Sequence, residues 1–197
     1  MRTHLLAILL VTSTAAAGPS KADLAKAPGY TTSRTGGPHD FDWMAGAWTT
    51  VQHRLKARGI GSKEWEDFPA TLCAAQYLGG LVTVDELWMP TKSWRGVTVR
   101  TFELEKHQWQ AYWISDKRGR LDPGVAGGFT GNVGELYGED SDDGKPVVAR
   151  LRWTVKDKDH ARWEQAFSYD GKSWETNWTA DFTRADPATT CAGGRTK

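Results

Sequence analysis

The chain has 197 residues, 39% of them hydrophobic and 25% charged, which is the composition of one globular domain rather than of a low-complexity or fibrous chain. Its 25 Lys and Arg against 24 Asp and Glu leave no electrostatic basis for binding nucleic acid or an anionic membrane surface. Eleven tryptophans are the outstanding feature: large, rigid side chains that either fill a small core or line an aromatic pocket.

At the start, "MRTH" is a short basic lead, "LLAILLVTSTAAA" an apolar run, and Ala15-Ala16-Ala17 a small-residue cleavage pattern. Residues 1–17 therefore read as a secretory signal peptide, too short for a membrane span, with cleavage between Ala17 and Ala22. The expected location is outside the cytoplasm, periplasmic or secreted, where a disulfide is chemically allowed. Removing residues 1–17 takes away one base, Arg2, leaving 24 bases against 24 acids. Residues 18–38 are rich in Gly, Pro, Ser and Thr without periodicity and read as a flexible leader.

From residue 39 onward short β-like segments alternate with turn signals, and no long amphipathic helix pattern occurs. Strands are predicted near 47–57, 63–76, 80–89, 93–105 and 108–116. The glycine-rich "VAGGFTGNVGELYGE" reads as either two short strands or one kinked strand. "KPVVARLRWTV", "ARWEQAFSY" and "WETNWTADFTR" complete the set. Asp143-Gly144 and Asp170-Gly171 predict type I′ hairpins, because both central residues of that turn need positive φ.

Alternation assigns the faces. Trp178, Ala180, Phe182 and Arg184 point one way in the last strand, with Asn177 and Thr179 on the other side. Val147, Ala149, Leu151, Trp153 and Val155 point inward in "VVARLRWTV". In the first strand, Thr50, Gln52 and Arg54 share the face of Trp48. A stripe that polar is costly in a dry sandwich core and natural in a barrel with a wet cavity. If an even number of strands closes the sheet, the first and last strands pair antiparallel. Trp48 then meets Arg184, and Gly46-Ala47-Trp48 becomes a structural plug rather than a ligand contact. The same end of the barrel receives Cys73 and the tail carrying Cys191, so these two either form a bridge or remain two thiols.

With G-x-W at the first strand and an Arg ending the last, the chain resembles the lipocalins and the wider calycins. "HDFDWMAGAW", "GSKEWEDF", "ARWEQAFSYDGKSWETNW" and "DFTR" more closely resemble an uncharacterised bacterial calycin-like family, a domain of unknown function, over residues 39–185. The resemblance implies an all-β fold, a closed antiparallel calycin-like (lipocalin-type) β-barrel. It also implies a small hydrophobic ligand and transfers no known activity. Residues 186–197 are left as a C-terminal tail.

Site chemistry is sparse. No metal spacing, C-x-x-C or G-x-S-x-G is present, so no metal site and no catalytic residue is predicted. "EDSDDG" lacks calcium-loop spacing and reads as a solvated turn. "NWT" at Asn177 matches a glycosylation sequon but lies inside a strand. No cofactor is predicted. Haem stays as an alternative, because the related nitrobindins, which this architecture resembles distantly, carry haem on a late-strand His. Here Trp163 to Arg184 contain none and His160 sits in a charged turn. Asp85 and Glu86 point to opposite faces, so only one is inside; Glu86, if inside, would be neutralised by Arg100 or Arg54. The candidate ligand-binding residues are Gln52, Arg54, Glu86, Arg100, Tyr112, Trp113, Gln165 and Trp178. The leading expectation is an exported barrel that binds a small hydrophobic or amphipathic molecule. The alternatives are a barrel-pocket enzyme of isomerase or cyclase type, tested at Glu86, Arg100 and Tyr112, and an envelope interaction module.

Overall fold

The alternating segments become ten strands of one closed antiparallel sheet. A computed structural model describes residues 18–193 and 195–197. The expected signal peptide, residues 1–17, lies outside the described residues. The strands are β1 (Gly46–Leu55), β2 (Trp65–Tyr77), β3 (Val82–Met89), β4 (Trp94–Glu103) and β5 (Gln108–Ser115). They continue with β6 (Val125–Thr130), β7 (Val133–Asp142), β8 (Lys145–Val155), β9 (His160–Ser168) and β10 (Glu175–Ala185). Each strand pairs with its sequence neighbours, and β1 closes the ring against β10. The glycine-rich segment is thus two strands, β6 and β7. No helix among the described residues is long and apolar enough to cross a membrane.

Closure follows the expected register, with Trp48 opposite Arg184 and Cys73 opposite Ala47. Trp48 is fully buried and donates its indole N–H to the Met44 carbonyl at 2.8 Å. Arg184 lies over its ring at 3.7 Å and donates to the carbonyls of Trp43, Ala45 and Lys158. Gly46 carries φ of +109°, a conformation that costs a side-chain-bearing residue dearly, and a Cβ there would press on the Arg184 guanidinium. Just before β1, Phe41 and Met44 fold into this end of the barrel and are fully buried. Phe41 meets Trp109, Phe129 and Trp153 edge to face at 4.9–5.3 Å. That end is sealed.

Cys73 and Cys191 form a disulfide with Cα atoms 6.0 Å apart. Beyond a single helical turn, α2 (Pro187–Thr190), the tail makes a two-stranded ribbon of β11 (Cys191–Ala192) and β12 (Arg195–Thr196) against the outside of the barrel.

Three local expectations are corrected. Asp143 and Gly144 both have positive φ, 48° and 79°, as a type I′ turn needs, but only Gly171 of the second pair does. The Asp170 carboxylate instead accepts from the backbone N–H groups of Lys172 and Ser173, a side-chain-stabilised turn that opens a longer loop between β9 and β10. Second, the β9–β10 register slips between Thr176 and Trp178. This bulge buries Asn177 completely, beside the inward Trp178, and hides the sequon from solvent.

Third, the segment expected as a flexible leader is docked on the barrel. A one-turn helix, α1 (Lys21–Leu24), is capped reciprocally by Ser20 and Asp23. Leu24 and Ala27 are buried against Val148 on the outer face of β8. Burial of Leu24 is worth about 2 kcal/mol. Tyr30 packs edge-on against Tyr137, and Trp174 donates to the Pro28 carbonyl. Farther on, Arg34 pairs with Glu135, and Gly36 bonds to the His107 carbonyl. Gly128 of β6 lies so close to the Thr35 backbone that a Cβ would collide with it. The leader thus forms part of the fold.

Candidate functional site

Sealing one end leaves a cavity of about 140 Å³ in the middle of the barrel. Its walls are apolar and aromatic, with Leu72, Leu87, Ala149, Trp113, Trp153, Trp163 and Trp178 among them. The inner row of β1 supplies Gln52, which is 1% exposed. Its Oε1 accepts the Trp178 indole N–H at 2.8 Å, and its Nε2 donates to Thr50 Oγ1 at 2.6 Å. Gln165 of β9 also lines the cavity and donates to Asn177 Oδ1 at 2.9 Å. Thr50 and Gln52 of the expected polar stripe are thus buried on the inner face, and Gln52 is engaged in fixing Trp178, while Gln165 fixes Asn177 at the β10 bulge.

β3 decides which acid is inside. Thr83, Asp85, Leu87 and Met89 form its buried row, and Glu86 lies on the outer row. Asp85 pairs with Arg100 of the adjacent β4, the two side chains being 1% and 4% exposed, and both line the cavity. Arg100 also lies over the rings of Phe41 and Trp153 at 5.1 and 5.6 Å. Glu86 belongs to the tail anchor instead. It accepts from the Thr196 N–H and hydroxyl at 2.9 and 2.8 Å, with Arg95 at 3.5 Å. Its expected inward role is corrected: residue parity on β3 puts Asp85 there.

Arg54 crowns the opposite end from Trp48. Its guanidinium lies over Trp94 at 5.3 Å and Trp178 at 5.0 Å. Burial lowers its pKa, and the neighbouring Arg58 adds to the effect. Arg58 itself pairs with Asp142, which also accepts the Tyr169 hydroxyl at 2.7 Å. Arg54 with Trp94 therefore forms a cover rather than part of the lining.

The cavity reaches a gap in the wall between β5 and β6. β5 and β6 pair only over Trp109–Ala111 and Val125–Gly127, after which the strands part. The loop that follows β5 folds back on it, with the Asp122 N–H donating to the Trp113 carbonyl at 2.8 Å. Tyr112, Asp122, Pro123 and Asp140 border the cavity here. Tyr112 is in the outward row of β5, its ring against Gly124 and its hydroxyl donating to Gln110 Oε1 at 2.6 Å. Asp122 pairs with Arg118, and burial raises the pKa of Asp140 above the usual carboxylate value, with Asp122 adding to it. Sequence reading missed this mouth; the signal available was Asp-Pro-Gly at 122–124, a break after a strand too long for its partner.

The structure thus brings Gln52, Arg100, Trp113, Gln165 and Trp178 to one cavity, Arg54 to its cover, Tyr112 to its rim and Glu86 to the outside. Haem does not fit these walls through an imidazole. His53 stacks on Trp65 and contacts Asp67 outside, His160 contacts Asp157, His39 contacts Asp42, and none of the described histidines lines the cavity.

Fold and cavity together define the class: a closed antiparallel calycin-like β-barrel, sealed at one end, with a largely apolar interior cavity. No family model matches the chain, and no curated protein matches it. Among solved structures the chain is similar to the crystal structure of Rv2717c from M. tuberculosis, with a TM-score of 0.50 and 11% identity, covering 77% of this chain and 99% of that one. A likeness at that identity concerns the fold alone.

Proposed function

We propose that this protein is an exported binding barrel whose interior holds a small apolar or amphipathic molecule. One observation carries the reading: a cavity of about 140 Å³ whose aromatic wall is interrupted by a buried ion pair, Asp85–Arg100. Apolar walls bury the ligand body, and a few placed polar groups set its orientation. Export is supported by the signal-like start of the chain and by the Cys73–Cys191 disulfide, a bond that persists in oxidising compartments. The barrel also agrees with the resemblance to the calycin-like family of undefined activity.

The test is native mass spectrometry of the protein purified from its own host. An adduct that disappears on denaturation is the expected result and gives the ligand mass. A barrel without adduct, whose tryptophan emission also ignores benzene-sized aromatic probes, would refute the proposal.

A second reading, acid–base catalysis in the same pocket, is favoured by Asp140. Its carboxyl borders the cavity, and burial raises its pKa, the direction a general acid requires. The Asp140→Asn variant would abolish turnover of a bound compound without loss of fold. Stoichiometric binding with no turnover in the parent protein rejects this reading.

A further inference from the structure

The binding-barrel reading leaves the chemistry of the occupant open, and the buried wall narrows it. Asp85 and Arg100 are the charged side chains in the depth of the cavity, and they neutralise one another. An ionised group brought beside them would be a buried charge without a partner, which is costly away from bulk water. At the mouth, Asp140 has no cation paired with it among the described residues, which further disfavours an anion. Asp122 already has Arg118 as its cation.

Hydrogen-bonding capacity, in contrast, is in surplus, and it is donor capacity. A guanidinium carries five N–H donors. Asp85 accepts from Nη1, and Arg100 makes no other side-chain hydrogen bond among the described residues; its Nε is enclosed without a partner. Thr83, directly across from Arg100 in the β3–β4 register, is fully buried behind the cavity lining, its hydroxyl also without a partner, so Arg100 is the donor that reaches the cavity. Deeper in the cavity the two amides are engaged, Gln52 by Trp178 and Thr50 and Gln165 by Asn177, while the one enclosed acceptor without a partner among the lining residues, Asp122 Oδ1, lies at the mouth, away from Arg100. Unspent donors are rare inside a fold, because an unmatched buried polar group costs stability. Size is the last constraint, since about 140 Å³ is close to the ~150 Å³ of an engineered apolar cavity that takes benzene.

We infer that the occupant is a small uncharged molecule, about one aromatic ring in bulk, carrying a carbonyl-type acceptor that meets the free edge of the Arg100 guanidinium while Asp85 holds that guanidinium in place. This rests on the binding-barrel reading.

Three probes of equal heavy-atom count separate the cases: acetophenone (neutral acceptor), cumene (no acceptor) and benzoate (anion). Each is titrated against the full protein by calorimetry and tryptophan quenching. Because water expels the hydrocarbon more strongly than the ketone, the readout is the ratio of the two Kd values, compared between the parent and variants of the pair. In an Asp85→Leu/Arg100→Met double variant, cumene binding persists and the ratio moves against acetophenone by about tenfold, the loss of one hydrogen bond from a charged donor. If that variant fails to fold, Arg100→Lys keeps the ion pair but loses the planar donor fork, and the ratio moves the same way. Benzoate binds the parent more weakly than acetophenone. An unchanged ratio, or benzoate as the tightest of the three, overturns the inference and leaves the binding barrel standing. Failure of all three probes to bind overturns the binding-barrel reading and this inference with it.

Discussion

Replacing Arg184 by methionine should remove the latch that closes the barrel while retaining most of the side chain's bulk. The guanidinium donates to the carbonyls of Ala45 at 2.7 Å, Trp43 at 2.8 Å and Lys158 at 2.9 Å, and lies 3.7 Å over the Trp48 ring. It thereby ties the turn before β1, the β8–β9 turn and β10 to one point. Arg184 is half-buried, so low values apply: about 1 kcal/mol for each of three charge-assisted hydrogen bonds and about 1 kcal/mol for the ring contact. Allowing for non-additivity, the expected cost is about 3 kcal/mol, a large share of the 5–15 kcal/mol typical of a domain. Arg184→Lys keeps the charge but not the fork and should cost about half as much. Urea unfolding followed by far-ultraviolet circular dichroism measures both, with the m value confirming that the same surface unfolds. A loss below about 1 kcal/mol for Arg184→Met would refute the reasoning, since ring stacking alone would account for it.

Three further outcomes are expected. The Cys73–Cys191 bridge spans 118 residues, so a Cys73→Ala/Cys191→Ala variant should lose up to about 4–5 kcal/mol in urea, the chain-entropy value for so long a loop. Burial raises Asp140 above its ordinary 3.8, so between 3.8 and the raised value the native chain holds a proton that the unfolded chain has released. Stability contributed by that proton falls as pH rises through the window; Asp140→Asn should therefore raise Tm at pH 7 and converge with the parent in acid below 3.8, and equal Tm values at both pH values would contradict it. Gly128→Ala places a methyl against the Thr35 backbone, so trypsin should cut the leader at Lys26 or Arg34 several-fold faster while the barrel core resists; unchanged cleavage would mean the leader is not held there.

The fold was legible because its signals are periodic. Alternation in the C-terminal halves of β8 and β10 separates Trp153 and Phe182 from their outward neighbours, and the even strand count follows once β6 and β7 divide. Closure then places Trp48 under Arg184 and Cys73 near Cys191 without any further information. The leader was not legible for the opposite reason. Its anchoring contacts, Leu24 on Val148, Trp174 on Pro28 and Arg34 on Glu135, are single residues scattered through a Gly- and Pro-rich stretch. They have no period to detect, and their partners lie over a hundred residues away.

The site shows where periodicity stops helping. Alternation states that Asp85 and Glu86 face opposite ways, but only the pairing of β3 with its neighbours chooses between them. Arg100 across the sheet gives Asp85 a buried partner, while Thr196, from a tail invisible to strand patterns, gives Glu86 an outer one. The same parity puts Thr83 inside beside Arg100, so one register choice sets both the ion pair and what packs behind it. A barrel with Glu86 inside would have placed its carboxylate next to Val84 and Trp88 rather than Thr83, leaving no comparable donor cluster. The chemistry offered to a ligand is therefore a consequence of strand register, and a change that slips β3 by one residue would exchange the Thr83 and Asp85 row for one carrying Val84, Glu86 and Trp88.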